Sequence, residues 1–228
     1  MDIYRQINQY LIDLDQDPDI RVVIIKGNGR AFSAGWDISC TEHHDLRGAR
    51  FINENLCNDN RWKIWKLTKP VIAQVHGYCL GGACELILPC DYVYISDDCK
   101  IGEPEIQFGD QPCFLMIPWL VNNRKAKELL LTGEKITGKE AAEIGLATRS
   151  YPAEELEAAV EALADKLITI SPPCIKKKKI LHVCMLSDIE NGFVTMVVVK
   201  DMSRFGRSYL EAGLYTEIRF PELGVRFI

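Results

Sequence analysis

The chain has 228 residues, of which 27 are lysine or arginine and 32 are aspartate or glutamate, so its formal net charge is −5. It is 47% hydrophobic and 26% charged, which is typical of a globular protein and excludes a disordered one. The negative charge argues against nucleic acid as the main partner, because binding a phosphate backbone needs a basic surface. A local basic patch would still suffice for an anionic cofactor.

No apolar run is long enough to cross a membrane, and residues 1–5 lack the basic region and apolar stretch of a signal peptide. The nine cysteines include no CxxC pair, and the four histidines have no metal-ligand spacing with them. We therefore expect reduced, mostly buried cysteines, no metal, no membrane association and a cytoplasmic location.

The first half of the chain alternates predicted strands with helical segments. Ile3, Ile7, Leu11 and Leu14 recur at helical spacing and predict an amphipathic first helix. Stretches of β-branched, apolar residues predict buried parallel strands at 20–26, 71–76 and 92–96, with helical character at 42–67 and 82–88. This alternation predicts an α/β fold.

The second half is predicted to be helical. A helix over 124–131 is expected to stop at Gly133, and Thr137 with Glu140 forms a capping box for a short helix. Apolar residues then line one face of a long helix over 156–170. We therefore divide the chain into an α/β core, 1–133, and a helical region, 134–228.

Two glycine-containing segments each follow a predicted strand. Residues 31–37 come after the first strand, and residues 76–86 include Gly81 and Gly82 at the start of a helix. Unpaired amide donors at such a helix start suit an anion or a developing oxyanion. A tight turn or close packing would also explain the glycines. Glu85, in an otherwise apolar helix, is harder to explain as a surface residue.

A third segment, 102–106, carries Glu103 and Glu105 on either side of a proline that holds the first of them extended. Carboxylates from two separate segments beside one anion hole would suit the addition of water to an activated double bond. A solvent-exposed acidic turn is the alternative for this segment.

Taken in order, six segments of the chain resemble the crotonase (enoyl-CoA hydratase/isomerase) superfamily. They span most of residues 1–186 and lie at 32–38, 69–73, 76–91, 101–106, 128–133 and 141–146. The resemblance implies a spiral of ββα units with a C-terminal helical region for trimerisation, and a homotrimer or a dimer of trimers.

The resemblance also assigns roles to residues of this chain. The oxyanion hole falls on the backbone N–H groups of Trp36 and Gly82, and the two catalytic glutamates on Glu85 and Glu105, with Glu105 supplying the α-proton. The substrate is an acyl-CoA thioester, with coenzyme A as part of the substrate and no permanently bound cofactor. The segments carrying these groups give six substrate- or CoA-binding candidates: Ser33, Ala34, Asp37, Ile38, Gly81 and Cys113.

The chain departs from the family pattern at three places. Family members usually begin with further strands and a segment that helps to hold the CoA nucleotide, so we expect those strands to be missing. Trp36 stands where alanine is usual, and residues 112–116, with Cys113 at a water-positioning glycine, replace a glycine-rich stretch. Enoyl-CoA hydration is the leading hypothesis. An isomerase, decarboxylase or dehydratase of the same superfamily and a catalytically weak acyl-CoA-binding scaffold remain alternatives.

Overall fold

A computed structural model describes residues 2–36 and 57–175, together with two short strands at 196–197 and 226–227. The chain divides into two compact units, Met1–Ile175 and Lys176–Ile228. In the second unit β8 (Met196–Val197) pairs in parallel with β9 (Arg226–Phe227). All other described elements belong to the first unit.

Two sheets form the first unit. One is a parallel sheet of four strands in the order β1-β2-β4-β7, and the other has three strands in the order β3-β5-β6. The strands of the first sheet are β1 (Val23–Lys26), β2 (Val71–Val75), β4 (Tyr92–Ser96) and β7 (Arg149–Tyr151). Those of the second are β3 (Tyr78–Leu80), β5 (Lys100–Gly102) and β6 (Ile136–Thr137). Within it β3 and β5 are parallel, and β6 is antiparallel to β5.

Helices connect and cover these strands. They are α1 (Asp2–Gln16), α2 (57–66), α3 (Gly82–Ile87), a 3-10 helix (Pro104–Phe108), α4 (Ile117–Leu120), α5 (Asn123–Thr132), α6 (Gly138–Glu143), α7 (Ala153–Ile168) and α8 (172–175). The apolar face of α1 packs through Leu11 against β1, β2 and the buried Ile64 of α2. None of the described helices is long and apolar enough to cross a membrane.

The connectivity is that of repeated ββα units. Strands β2 and β4 belong to the first sheet, and each is followed by a strand, β3 or β5, that belongs to the second. After β1, Ser33 forms an isolated parallel bridge with Cys79 of β3, and Cys79 is paired with Ile101 of β5. Three parallel segments therefore end at the same edge, which brings together the residues that follow them.

The sequence predicts several elements at their observed ends. α5 stops at Gly133, whose φ of 66° is left-handed, and α6 has both halves of the predicted Thr137–Glu140 capping box. The first strand differs from the prediction of a buried strand. Among the described strands β1 lies at an edge, and Ile24 is 40% exposed. Its apolar residues match a central strand equally well, so composition alone could not distinguish the two positions.

Strands continue beyond residue 133. β6 pairs with β5, and β7 extends the parallel sheet beside β4. The division proposed at 133 thus falls inside the first unit, which extends to Ile175. Strands of two or three residues are too short to show a hydrophobic period, which is why the sequence predicts helices alone here.

Candidate active site

The segment after β1 approaches the start of α3 very closely. Gly35 has a φ of 93°, and its N–H donates to the Ser33 hydroxyl at 3.2 Å. A Cβ at Gly35 would lie 2.6 Å from the carbonyl oxygen of Leu80 and 3.6 Å from the amide nitrogen of Gly82. Glycine is therefore required at position 35, both for its φ and for this contact.

Two backbone amides are available where these segments meet. Gly81, with a φ of 56°, precedes α3, and Gly82 is the first residue of the helix. No described residue accepts a hydrogen bond from the N–H of Gly82 or from that of Trp36. Two such donors on adjoining segments are the components of an oxyanion hole.

Glu85 lies one turn into α3 and is 1% exposed. Its Oε2 accepts a hydrogen bond of 2.6 Å from Arg61, and its Oε1 accepts one of 2.9 Å from the N–H of Phe114. Helical side chains tilt toward the N-terminus of the helix, so the carboxylate of Glu85 lies on the side of Gly81 and Gly82. Both of its oxygens are thus held by donors from other segments.

Glu105, in the 3-10 helix, comes close to Gly81. Its Oε1 lies 2.6 Å from the position that a Cβ on Gly81 would occupy. Burial raises the pKa of the Glu105 carboxyl above its ordinary value, and the negative charge of Glu85 acts in the same direction. The Glu105 carboxyl therefore keeps its proton to a higher pH than an exposed glutamate does.

Glu103 is buried rather than part of an exposed acidic turn. It is 3% exposed, and neither carboxyl oxygen has a hydrogen-bond partner among the described residues. Burial raises its pKa well above the ordinary value, and the charges of Glu85 and Glu105 raise it further. The sequence analysis names Glu103 within the acidic segment 102–106 but gives it no catalytic or binding role, and nothing local in the sequence predicts its burial.

Aromatic side chains lie on both sides of the Glu85–Arg61 pair. Tyr4 of α1 stacks on Trp36 with 5.2 Å between ring centroids, and Trp62 of α2 meets Phe114 edge to face at 5.5 Å. A Cβ on Gly82 would lie 2.8 Å from the Trp36 indole, so the indole covers this glycine. The large side chain at position 36 therefore lies directly beside the candidate oxyanion hole.

The remaining predicted residues fall into three groups. Ser33 holds the turn before Trp36, whereas Ala34 is exposed on that turn. Cys113 is half-buried and immediately precedes Phe114, whose amide binds Glu85. Asp37 and Ile38 lie outside the described residues.

Arg61 and Tyr4 are site residues that the sequence analysis missed. Arg61 is completely buried, as are Cys57 and Ile64 in the same helix. The spacing of 57, 61 and 64 places all three on one helical face, and this pattern was the available signal. Tyr4 carried no comparable signal, because it lies beside the apolar positions 3 and 7 of an amphipathic helix.

Known proteins resemble this chain over most of its length. A family model described as enoyl-CoA hydratase/isomerase matches residues 2–188. The chain belongs to this family. It is 36% identical over 170 residues to a protein named probable enoyl-CoA hydratase, mitochondrial, of Dictyostelium discoideum, covering 73% of this chain and 60% of that protein. It is 31% identical over 197 residues to the short-chain-enoyl-CoA hydratase of Clostridium acetobutylicum, covering 84% of this chain and 75% of that protein.

Solved structures show the same fold. The crystal structure of an enoyl-CoA hydratase/isomerase from Xanthobacter autotrophicus Py2 matches with a TM-score of 0.71 and 32% identity, covering 81% of this chain and 70% of that one. The chain spans 60% of the length of the Dictyostelium relative. The crotonase fold predicted from the sequence is confirmed.

Proposed function

We propose that this chain is an enoyl-CoA hydratase, which adds water across the double bond of a 2-enoyl-CoA thioester. The observation that carries the proposal is the approach of Glu85 and Glu105, from separate elements, to the glycine pair that opens α3. The backbone amides of Trp36 and Gly82, from which no described residue accepts a hydrogen bond, would supply the two donors of the oxyanion hole. The names of the relatives support hydration as the reaction.

In this proposal the thioester carbonyl oxygen accepts hydrogen bonds from the Trp36 and Gly82 amides. Negative charge develops on this oxygen when water attacks the β-carbon, and the two donors stabilise the resulting enolate. Each such donor contributes on the order of 3 kcal/mol in comparable sites. This stabilisation grows as the charge develops, so it accelerates the reaction rather than merely tightening binding.

The two glutamates divide the proton transfers. The Glu85 carboxylate accepts a proton from the water as the water oxygen bonds to the β-carbon, and the π electrons move to the carbonyl oxygen. When the enolate collapses, neutral Glu105 donates its proton to the α-carbon. Water is thus added in full, Glu85 ends protonated and Glu105 ends ionised. Proton exchange with solvent then restores both carboxyl groups.

The assembly and location of the protein belong to the same proposal. Membership of the family supports an acyl-CoA as the small-molecule partner, and we propose a homotrimer or a dimer of trimers in the cytoplasm. The mass of the purified protein in solution distinguishes a trimer from a hexamer.

The decisive experiment follows the loss of ultraviolet absorbance of the enoyl thioester with crotonyl-CoA. We expect Glu85→Gln and Glu105→Gln each to lower kcat by at least about 10²-fold, because each removes one proton transfer. Glu161→Gln, at an exposed position on α7, is the matched control and should keep the wild-type rate. Near-normal rates in both active-site variants would refute the proposal.

Other outcomes would indicate the alternative reactions. Dependence on one glutamate alone would favour an isomerase, and carbon dioxide released from a malonyl-type thioester would favour a decarboxylase. Tight binding of acyl-CoA without turnover would favour a binding scaffold.

A further inference from the structure

Arg61 connects the two halves of the candidate site through a single atom. Its Nη2 donates to Glu85 Oε2 at 2.6 Å and to the carbonyl oxygen of Gly82 at 2.9 Å. The side chain is 0% exposed, so solvent cannot substitute for either bond. The glutamate expected to accept a proton is thereby tied to the glycine expected to bind the oxyanion.

A ring of contacts leads from Arg61 back to Gly82. The Arg61 guanidinium lies over the ring of Tyr4, 5.9 Å from its centroid, and Tyr4 stacks on the indole of Trp36. That indole lies against Gly82. The ring joins α1, α2, α3 and the segment after β1. The ring therefore links the guanidinium to Trp36 and Gly82, the two residues of the candidate oxyanion hole.

Stability is a poor explanation for this buried ion pair. Removing two charges from water costs several kcal/mol for each ion, and apolar replacements of buried pairs are often neutral or stabilising. Within the described part of the chain, the titratable groups that interact with Arg61 or Glu85 are Tyr4, Cys57, Cys84, Glu103 and Glu105. None of these five groups carries a positive charge. Arg61 is therefore the source of positive charge for Glu85 within this set of interacting groups.

We propose that Arg61 is a positioning residue, which holds the Glu85 carboxylate in its reactive orientation and fixes Gly82 relative to it. The inference rests on the hydratase proposal and goes beyond it. With the Phe114 amide on Oε1 and Arg61 on Oε2, each oxygen of Glu85 is held by one donor. The carboxylate cannot rotate without losing a bond, and each oxygen keeps acceptor capacity for water.

The test is a cycle of Arg61→Met and Glu85→Gln assayed with crotonyl-CoA. Arg61→Met should lower kcat by about 10²-fold, since misplacing a reacting group by about 1 Å has that effect, while KM changes less than about 3-fold. Added to Glu85→Gln, it should lower kcat by less than about 10-fold more, because the carboxylate that Arg61 orients is already gone and only its bond to the Gly82 carbonyl oxygen is left to lose. Arg124→Met, at an exposed arginine of α5, is the matched control.

If Arg61→Met does not fold, a variant that keeps the positive charge still tests the inference. Arg61→Lys can pair with Glu85 but cannot reproduce the guanidinium geometry, so kcat should fall by about 10-fold with KM nearly unchanged. Wild-type kcat in this variant, or equal losses from Arg61→Met with and without Glu85→Gln, would overturn the inference. Wild-type turnover in Glu85→Gln alone would instead refute the hydratase proposal, and the Arg61 inference with it.

Discussion

The variant Gly82→Ala tests how closely the Trp36 indole controls the oxyanion hole. An added Cβ would lie 2.8 Å from both Cδ1 and Nε1 of the indole. Carbon atoms in contact prefer about 3.5 to 4.0 Å, so the indole must withdraw by roughly 0.7 Å or more. Tyr4, stacked at 5.2 Å, opposes that movement. Gly82 does not have a positive φ, so its backbone accepts alanine without strain.

The displacement reaches the reaction through the backbone amide of Trp36. A misplacement of about 1 Å costs on the order of 10²-fold, so we expect Gly82→Ala to lower kcat with crotonyl-CoA by about 10- to 10²-fold. Overfilling a packed site costs about 1–3 kcal/mol, so the free energy of unfolding should fall by that amount. Urea unfolding measures this second effect independently of substrate.

Trp36→Ala distinguishes the clash between the added Cβ at position 82 and the Trp36 indole from other roles of Gly82. It keeps the backbone amide and removes the clash, so its kcat should fall by less than about 10-fold. The double variant Trp36→Ala/Gly82→Ala should then match Trp36→Ala rather than Gly82→Ala. A double variant as slow as Gly82→Ala alone would refute the reasoning, because the added methyl group would then itself obstruct the site.

Two further predictions concern stability. Glu103 has a raised pKa in the folded protein, so at a pH above its unfolded-state pKa the unfolded chain loses a proton that the folded protein keeps. The free energy of unfolding therefore falls as pH rises from the unfolded-state pKa toward the folded-state pKa, by about 1.4 kcal/mol for each pH unit between the two. Glu103→Gln should reduce this fall as the pH is raised from mildly acidic to neutral; equal losses in both proteins would contradict the assignment. Thr137→Ala removes a cap that accepts from the Glu140 amide at 3.1 Å, and should cost about 1 kcal/mol in urea unfolding with kcat unchanged.

Local sequence signals predict local structure well in this chain. Helix α1, the glycine stop of α5 and the capping box of α6 follow from spacing and end residues within one helix. Three of the candidate site residues could be named from the sequence because Gly81, Gly82 and Glu85 lie within five residues of one another. Their position after a strand and at a helix start indicates their chemistry without any knowledge of distant contacts.

The contacts that hold these residues in place could not be predicted in the same way. The bond from Arg61 to Glu85 joins residues 24 apart in sequence, and that from Phe114 joins residues 29 apart. In a helix rich in polar residues, the sequence does not distinguish a buried arginine from a solvent-exposed one. The distinction requires noticing that Arg61 lies on the same helical face as Cys57 and Ile64. The strands β3, β5 and β6 are likewise defined by their partners, since each has only two or three residues.

The electrostatics of the site suit the proposed division of labour between the glutamates. Arg61 is paired with the Glu85 carboxylate, whereas burial raises the pKa of Glu105. The proposal uses this difference, with Glu85 as the group that accepts a proton and Glu105 as the group that donates one.

After one turnover these protonation states are reversed and must be reset. Glu105 is half-buried and can exchange its proton with solvent, but Glu85 is 1% exposed and both of its oxygens accept hydrogen bonds from the protein. The proton on Glu85 must then leave through water that enters the substrate site. In the proposed reaction, product release therefore precedes the resetting of the base.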